Sequence, residues 1–277
     1  MLYTKLKDRI VINDLTEFNI NQILDCGQIF RYWIDGNVAK VVSTDKYAVI
    51  KTYCDKAEII TKDVDYFENF FDLKTDYTSI KNVLSKDKFL TPCIKFGYGI
   101  RILHQNLFEM IVSFIISANN NIKRIKNSLN KLSEKFGTNM SEYYAFPTLE
   151  QFKNISVQDY VDAGLGYRAE QLYSTIQTLT EQNLINFKSL TFDNKMKFLL
   201  SLKGVGKKVA DCIMLFAMGE ISCFPVDTWI NKIYNQLTNS TITDRNKISE
   251  ILTSKYGKLS GYAQQYFYYY YRENKIL

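Results

Sequence analysis

Two adjacent lysines at the start of a predicted helix are the residues best placed to perform chemistry in this chain. Lys207 and Lys208 lie within residues 199–230, LLSLKGVGKKVADCIMLFAMGEISCFPVDTWI. In the first turn of a helix, the dipole and a neighbouring cation disfavour protonation, so we expect a lowered amine pKa. A neutral amine is a nucleophile that forms a Schiff base with a sugar carbon.

The positions of the two lysines on the helix distinguish them. Lys208 precedes Cys212 by one turn, so their side chains share a face. Lys207 is expected to face solvent or a phosphate. We therefore predict that Lys208 is the nucleophile and that Lys207 is a nucleic-acid contact.

A glycine hairpin precedes these lysines and predicts an anion site. The segment GVG at 204–206 follows an apolar run, and helical spacing resumes until Gly219. Gly204 and Gly206 are expected to adopt backbone angles closed to other residues. Hairpin amides and a helix N-terminus together bind anions, for which nucleic-acid phosphate is the natural choice. The pattern predicts a helix-hairpin-helix unit over residues 198–218.

An aspartate follows this unit at the start of another amphipathic run. Asp227 ends the sequence Pro225-Val226-Asp227 and precedes apolar residues at helical spacing, which predicts a helix N-cap. Amide donors at an N-cap keep a carboxylate ionised. Such a group can stabilise a cationic sugar transition state or assist proton transfer.

Composition narrows the class of protein without naming it. A chain of 277 residues with 46% apolar residues supports a real core, and its net charge of +6 favours a polyanionic partner only mildly. The five cysteines are widely spread without a C-x-x-C pair, so neither a metal site nor a disulfide framework is expected. No apolar stretch reaches membrane-spanning length and the N-terminus has no signal region, so we expect an intracellular protein.

The chain divides into a strand-rich part and a helical part. Before about residue 95, a hairpin is predicted around Asp35-Gly36, with a third strand at 46–53. Thr91-Pro92 and the glycines at 97 and 99 mark the predicted joint. Later helices are predicted to start near residues 119–121, at Thr148, at Ser156 and at Asp193.

Several segments in a fixed order give the chain a family resemblance. It resembles the 8-oxoguanine DNA glycosylases of the helix-hairpin-helix (HhH-GPD) superfamily. The segments are CGQIFRYW at 26–33, RILHQNLFEMIVSFIISANNNIKRI at 101–125, GLGYRAEQL at 164–172, GVGKKVADC at 204–212, PVD at 225–227 and GYAQQYF at 261–267. The resemblance implies an α+β fold. A TBP-like antiparallel sheet domain would occupy residues 1–95, and a helical glycosylase domain residues 96–277.

The resemblance also implies roles around a damaged base that has left the duplex. It places the family's nucleophile on Lys208 and its aspartate on Asp227. The backbone carbonyl of Gly27 would accept a hydrogen bond from N7–H, which 8-oxoguanine has and guanine lacks. Cys212 and Tyr268 would cover the two faces of the base, and Gln264 would bond its pairing edge.

A second group of residues is implied to hold the remaining DNA. Asn119, Arg124 and Arg168 would bond the opposite cytosine, and Tyr167 would fill the vacated stack. Trp229 stands where the family commonly has a histidine that touches a phosphate. Tryptophan donates one hydrogen bond but adds no charge.

The resemblance implies excision of 8-oxoguanine opposite cytosine from duplex DNA, followed by β-elimination. It implies no metal or organic cofactor, and a monomer. Two alternatives remain at this point. A monofunctional glycosylase for alkylated bases would keep Asp227 without needing Lys208, and a non-catalytic DNA-binding protein would need only the hairpin.

Overall fold

A six-stranded antiparallel sheet forms the first part of the protein. The computed structural model describes residues 1–274. Within them the strand order is β1-β2-β6-β5-β4-β3. The strands are β1 Tyr3–Lys5, β2 Arg9–Ile12, β3 Tyr32–Asp35, β4 Val38–Ser43, β5 Lys46–Thr52 and β6 Ala57–Ile60.

Alternating burial explains why these segments form a sheet with one face on the core. In β4 and β5 the residues Ala39, Val41, Ala48 and Ile50 are buried, as a period of two requires. The predicted hairpin and third strand are present. The turn lies one residue later than predicted, at Gly36 and Asn37, and Gly36 has φ 57°.

The remainder of the described chain is helical. The helices are α1 Ile20–Asp25, α2 Val64–Phe70, α3 Tyr77–Leu84, α4 Leu90–Phe96, α5 Leu107–Ser117, α6 Ile122–Phe136, α7 Leu149–Lys153, α8 Val157–Asp162, α9 Arg168–Thr178, α10 Glu181–Phe187, α11 Phe192–Ser201, α12 Lys207–Met218, α13 Thr228–Thr238, α14 Arg245–Tyr256 and α15 Ser260–Glu273. Short 3₁₀ turns lie at Leu15–Glu17 and Gly257–Leu259. No helix in residues 1–274 combines the length and apolar character needed to cross a bilayer.

Side-chain caps fix most helix starts where the sequence predicts them. Thr148 and Ser156 each form a reciprocal capping box, and Asn121 caps α6. The start predicted at Asp193 is wrong, because Thr191 caps α11 through the amide of Asn194. Threonine is the better cap here since it directly precedes the apolar residue Phe192.

Two hydrophobic cores lie on either side of the segment that joins the sheet to the helices. One core lies under the sheet and includes Phe67 and Phe71, and the other fills the helical part. Of the predicted joint, Thr91 and Pro92 lie in the first turn of α4, where proline is tolerated, and the glycines at 97 and 99 lie in the segment between α4 and α5. Helix α4 packs against α15. The boundary expected at residue 95 therefore lies in the last turn of this helix.

Candidate active site

The backbone of the hairpin between α11 and α12 requires a glycine at one of its two glycine positions, Gly204. Gly204 has φ +82°, and a Cβ there would lie 3.1 Å from the Gln171 side chain. The same expectation for Gly206 is wrong, because its φ of −93° and ψ of 178° suit any residue. No heavy atom lies within 4 Å of a Cβ built on Gly206. Its backbone is therefore open to a ligand.

Lys208 lies in the first turn of α12, the helix that follows the hairpin and packs against α5. The residue is half-buried, and its Nζ is 5.5 Å from the ring centroid of Phe114 on α5. Cys212, Asp227 and Tyr268 all act on its charge. Asp227 caps α13 as predicted, accepting a hydrogen bond from the amide of Ile230 at 2.9 Å. The structure thus brings both predicted catalytic residues together.

The lowered pKa expected for Lys208 is wrong. Burial does act to lower the pKa of Lys208, but Cys212, Asp227 and Tyr268 outweigh it and the net shift is upward. Burial raises the pKa of the Cys212 thiol to about 11. The neighbouring cation invoked from the sequence does not repel Lys208 as expected, because Lys207 is itself paired with a carboxylate.

That carboxylate is Asp211, a buried residue one turn along α12. The Nζ of Lys207 lies 2.5 and 2.6 Å from its two oxygens, and Asp211 is 1% exposed. Burial raises the pKa of Asp211, against the opposing effect of Lys207. The Lys207 side chain is 42% exposed, so it faces solvent as expected while holding this pair.

Two of the predicted base-binding residues, Gly27 and Tyr268, lie in direct contact. Gly27 has φ +81°, and a Cβ there would lie 2.8 Å from Cε1 of Tyr268. Only a residue without a side chain allows this approach and this backbone angle. Cys212 is buried on the neighbouring helix α12. Tyr268 therefore covers the backbone of Gly27.

Two residues that the sequence analysis missed hold Gly27 and Tyr268 in this arrangement. The buried Gln28 side chain donates to the carbonyls of Ile23 and Arg101 and accepts from the amide of Leu103. Arg272 donates to the carbonyl of Asp25, and its guanidinium carbon lies 5.2 Å from the Tyr268 ring centroid. The spacing of Arg272 one helical turn after Tyr268 is the one signal for it in the sequence.

Gln264 is buried on α15, one turn before Tyr268. Its Oε1 accepts a hydrogen bond from Nε2 of Gln265 at 2.7 Å. The Oε1 of Gln265 has no hydrogen-bond partner within residues 1–274. This pair therefore retains unused polar capacity close to Tyr268, and the base contact of Gln264 stays a prediction.

The residues predicted to hold the opposite base lie at the starts of two helices, with Asn119 and Arg124 at the start of α6 and Tyr167 and Arg168 at the start of α9. Arg168 donates to the carbonyls of Ala118 and Asn119, both at 2.6 Å, and is 5% exposed. Asn119 adopts φ 48°, and the neighbouring Tyr167 is 58% exposed. Arg124 is also exposed. Arg168 thus fixes the loop that carries Asn119, which the sequence did not indicate.

The ammonium group of Lys232 lies near the ring of Trp229. The Nζ of Lys232 lies 6.0 Å from the Trp229 ring centroid. Trp229 itself is half-buried in the first turn of α13, beside the Asp227 cap. The positive charge that tryptophan cannot supply is therefore present one turn away.

Comparison with known proteins agrees with this architecture over most of the chain. Residues 10–111 match the 8-oxoguanine DNA glycosylase N-terminal domain, and residues 112–258 match the HhH-GPD superfamily of base excision DNA repair proteins. The 8-oxoguanine glycosylase/lyase of Clostridium acetobutylicum, solved with double-stranded DNA containing cytosine opposite 8-oxoG, is 37% identical. It aligns with a TM-score of 0.93 over 100% of this chain and 99% of its own.

Two curated relatives extend the comparison. A probable N-glycosylase/DNA lyase of Methanothermobacter thermautotrophicus is 30% identical over 76% of this chain and 75% of its own. The N-glycosylase/DNA lyase OGG1 of Arabidopsis thaliana is 31% identical over 60% of this chain. That match spans only 50% of the plant protein.

The hairpin, the capped aspartate and these matches define the class of the protein. The chain belongs to the HhH-GPD superfamily of base excision DNA repair proteins. Within that superfamily its N-terminal sheet domain and its relatives place it in the 8-oxoguanine DNA glycosylase family. The α+β fold predicted from the sequence is confirmed.

The contact between Gly27 and Tyr268 predicts an unequal cost for two alanine substitutions. Gly36→Ala should lower the free energy of unfolding by about 1–2 kcal/mol, because alanine must adopt a positive φ. Gly27→Ala should cost about 2–4 kcal/mol, since it adds a collision with Tyr268 to the same backbone strain. Urea unfolding followed by circular dichroism measures both. Equal losses would contradict the contact, as would a failure of Tyr268→Ala to relieve Gly27→Ala.

The Lys207–Asp211 pair predicts a pH-dependent loss of stability. Lys207→Gln leaves the buried carboxylate unpaired, which should cost about 1–3 kcal/mol at neutral pH. Because the folded pKa of Asp211 is raised above 3.8, its penalty is present above the folded pKa. The penalty disappears as the pH falls towards the unfolded value.

Urea titrations of Lys207→Gln and wild type over this pH range should therefore converge on acidification. Lys203→Gln, a change at an exposed lysine of the same hairpin, is the matched control and should show no such trend. A loss from Lys207→Gln that is constant with pH would show that Asp211 is not the group left unpaired.

Proposed function

We propose that this protein excises 8-oxoguanine opposite cytosine from duplex DNA and then nicks the strand at the resulting abasic site. The observation that carries the proposal is the position of Lys208 beside Asp227 and Cys212, directly behind the glycine hairpin. The relatives named as glycosylases and lyases, one solved with DNA holding 8-oxoG opposite cytosine, support the same reaction.

Recognition would take place at the backbone of Gly27. Its carbonyl can accept a hydrogen bond from N7–H of 8-oxoguanine but would face a lone pair on N7 of guanine. Leaving a buried polar group unpaired costs about 1–3 kcal/mol, which favours the damaged base. The extruded base would displace Tyr268 from Gly27 and lie between Tyr268 and Cys212, while Gln264 bonds its pairing edge.

Catalysis would begin with loss of a proton from Lys208, whose raised pKa favours the ammonium before substrate binds. Asp227, whose charge acts on this lysine, is the candidate proton acceptor. The lysine nitrogen then attacks C1′ of the sugar as the glycosidic bond to the base breaks. Asp227 passes that proton to the departing base, and its carboxylate, ionised again, stabilises the positive charge that develops on the sugar.

The covalent product would react further in three steps. Opening of the sugar ring gives an imine between C1′ and Lys208. Loss of a C2′ proton and departure of the 3′ phosphate then cleave the strand by β-elimination. Water finally hydrolyses the imine and frees the enzyme. Every atom that this reaction requires comes from the protein, the DNA or water, so we propose that no cofactor takes part.

The rest of the DNA would be held on the same face. Asn119 and Arg124 suit the edge of the opposite cytosine, and the exposed Tyr167 suits the vacated stack. Arg168 would join them by releasing the carbonyls of Ala118 and Asn119. Backbone amides of the hairpin, with Lys207, would bind phosphate. Trp229 would contact a further phosphate together with Lys232.

We further propose that the protein acts as a monomer inside the cell, where its DNA substrate lies. The two alternatives are less well supported. A monofunctional glycosylase gives no reason for a lysine behind the hairpin to lie beside Cys212 and Asp227. A DNA-binding protein without activity explains Asp227 as the cap of α13 but not the half-buried Lys208 near it.

Borohydride trapping tests the assignment of the nucleophile. Wild type should become covalently linked to duplex DNA containing 8-oxoguanine, because borohydride reduces the imine to a stable amine. Lys208→Gln should abolish the adduct, and gel electrophoresis of the mixture measures it. Lys207→Gln is the matched control and should retain trapping below its melting temperature. Trapping that is lost in Lys207→Gln and kept in Lys208→Gln would reverse the assignment.

A further inference from the structure

The loop that carries Gly27 joins helix α1 to strand β3, and side chains hold it in place. Residues 26–31 belong to neither a helix nor a strand. After Gly27, the Gln28 side chain holds the loop through three hydrogen bonds to the backbone of neighbouring segments. Before Gly27, the carbonyl of Asp25 accepts a hydrogen bond from Arg272. The position of the Gly27 carbonyl therefore depends on side-chain bonds on both sides of it.

A further hydrogen bond joins the two ends of this loop. The hydroxyl of Tyr32, the first residue of β3, donates to Oδ1 of Asp25, the last residue of α1, at 2.6 Å. Tyr32 is buried, and burial together with the Asp25 carboxylate raises its pKa well above the ordinary value. The hydroxyl therefore stays protonated at neutral pH and remains a donor to Asp25.

A lysine of α6 contacts the ring of this tyrosine. The Nζ of Lys126 lies 3.5 Å from the Tyr32 ring centroid, within the distance at which a cation is attracted to an aromatic face. Lys126 is half-buried, and burial lowers its pKa against the opposing effect of Asp25. Asp25, Tyr32 and Lys126 thus form one cluster beside the loop, which we call the Tyr32 cluster.

The Tyr32 cluster lies next to the proposed recognition backbone but outside the surroundings of the proposed nucleophile. Asp25 is two residues from Gly27 along the chain. The main groups that act on the charge of Lys208 belong to α12, α13 and α15, and no member of the cluster is among them. The cluster is therefore placed to affect how the base is recognised without altering the chemistry at the lysine.

We propose that Tyr32, together with Asp25 and Lys126, is a positioning residue for the Gly27 carbonyl and thereby for excision of the oxidised base. The inference rests on the proposed function, in which this carbonyl accepts a hydrogen bond from N7–H of 8-oxoguanine. A hydrogen bond weakens steeply when its distance or angle changes. A loop released at Asp25 would therefore hold the damaged base less well, while Lys208 would keep its place.

Two DNA substrates separate base recognition from chemistry at the sugar. Excision from a duplex with 8-oxoguanine opposite cytosine needs both, whereas cleavage of a duplex with a preformed abasic site needs Lys208 but has no base to recognise. Tyr32→Phe should slow single-turnover excision by about fivefold or more, because misplaced recognition groups lower the rate. The same variant should cleave abasic DNA within about twofold of the wild-type rate. Denaturing gel electrophoresis, with and without hot alkali, measures both reactions.

Matched variants test each contact of the cluster. Asp25→Ala should reproduce the effect of Tyr32→Phe, and the double variant should be no slower than either, because both remove one shared bond. Asp25→Asn keeps an oxygen acceptor and should restore most of the excision rate. Lys126→Met keeps the apolar stem and should slow excision alone.

Two control variants lie outside the cluster. Tyr53→Phe removes the hydroxyl of an exposed tyrosine in the sheet domain, and Lys131→Met changes an exposed lysine of α6. Both should leave excision and abasic-site cleavage at the wild-type rates.

The two reactions also distinguish the failure of this inference from that of the proposed function. Equal slowing of excision and abasic-site cleavage in Tyr32→Phe would show a general structural role and would overturn the inference. Unchanged excision in Tyr32→Phe, or additive losses in the double variant with Asp25→Ala, would also overturn it. Wild-type protein that leaves 8-oxoguanine DNA intact would overturn the proposed function, and the inference with it.

Discussion

The close approach of the last helix to one glycine governs the geometry of the proposed site. Tyr268 lies against the backbone of Gly27, at a distance that leaves no room for a Cβ. Both partners are held from behind, Gly27 by the buried hydrogen bonds of Gln28 and Tyr268 by Arg272. Tyr268 also lies near Lys208, so the proposed base recognition at Gly27 and the proposed chemistry at Lys208 share one neighbouring side chain.

The neighbours of Lys208, the proposed nucleophile, set the main difficulty for its chemistry, because they favour its protonated form. An amine over the Phe114 ring, next to a buried thiol and a carboxylate, is favoured as the ammonium. The Lys207–Asp211 pair neutralises the adjacent cation, so repulsion between the two lysines does not assist deprotonation. The proposed reaction therefore requires Lys208 to lose a proton before it attacks the sugar.

Local signals in the sequence were sufficient to predict the helices that carry Lys208 and Asp227 of the proposed site. Apolar spacing around GVG and the cap at Asp227 predicted the hairpin, α12 and α13, and side-chain phase separated Lys208 from Lys207. The short strands β1, β2 and β6 were not predicted individually. Each spans only three or four residues and depends on partners far away in the chain.

Long-range contacts account for what the sequence could not supply. The pKa of Lys208 depends on Asp227 and Tyr268, which α13 and α15 bring to it. Arg272 and Gln28 look unremarkable in sequence, and only folding brings Arg272 to the carbonyl of Asp25. At Gly206 the sequence suggested more than the structure shows. The glycine predicted special backbone angles, but the chain there is extended.

The most direct test of the central claim is to locate the bond between protein and DNA. Wild-type protein would be incubated with 8-oxoguanine duplex and borohydride, digested, and analysed by tandem mass spectrometry. The account predicts that the reduced deoxyribose fragment is attached to Nζ of Lys208, the second of the two adjacent lysines. Attachment at Lys207 or at any other residue, or excision without an adduct, would contradict it.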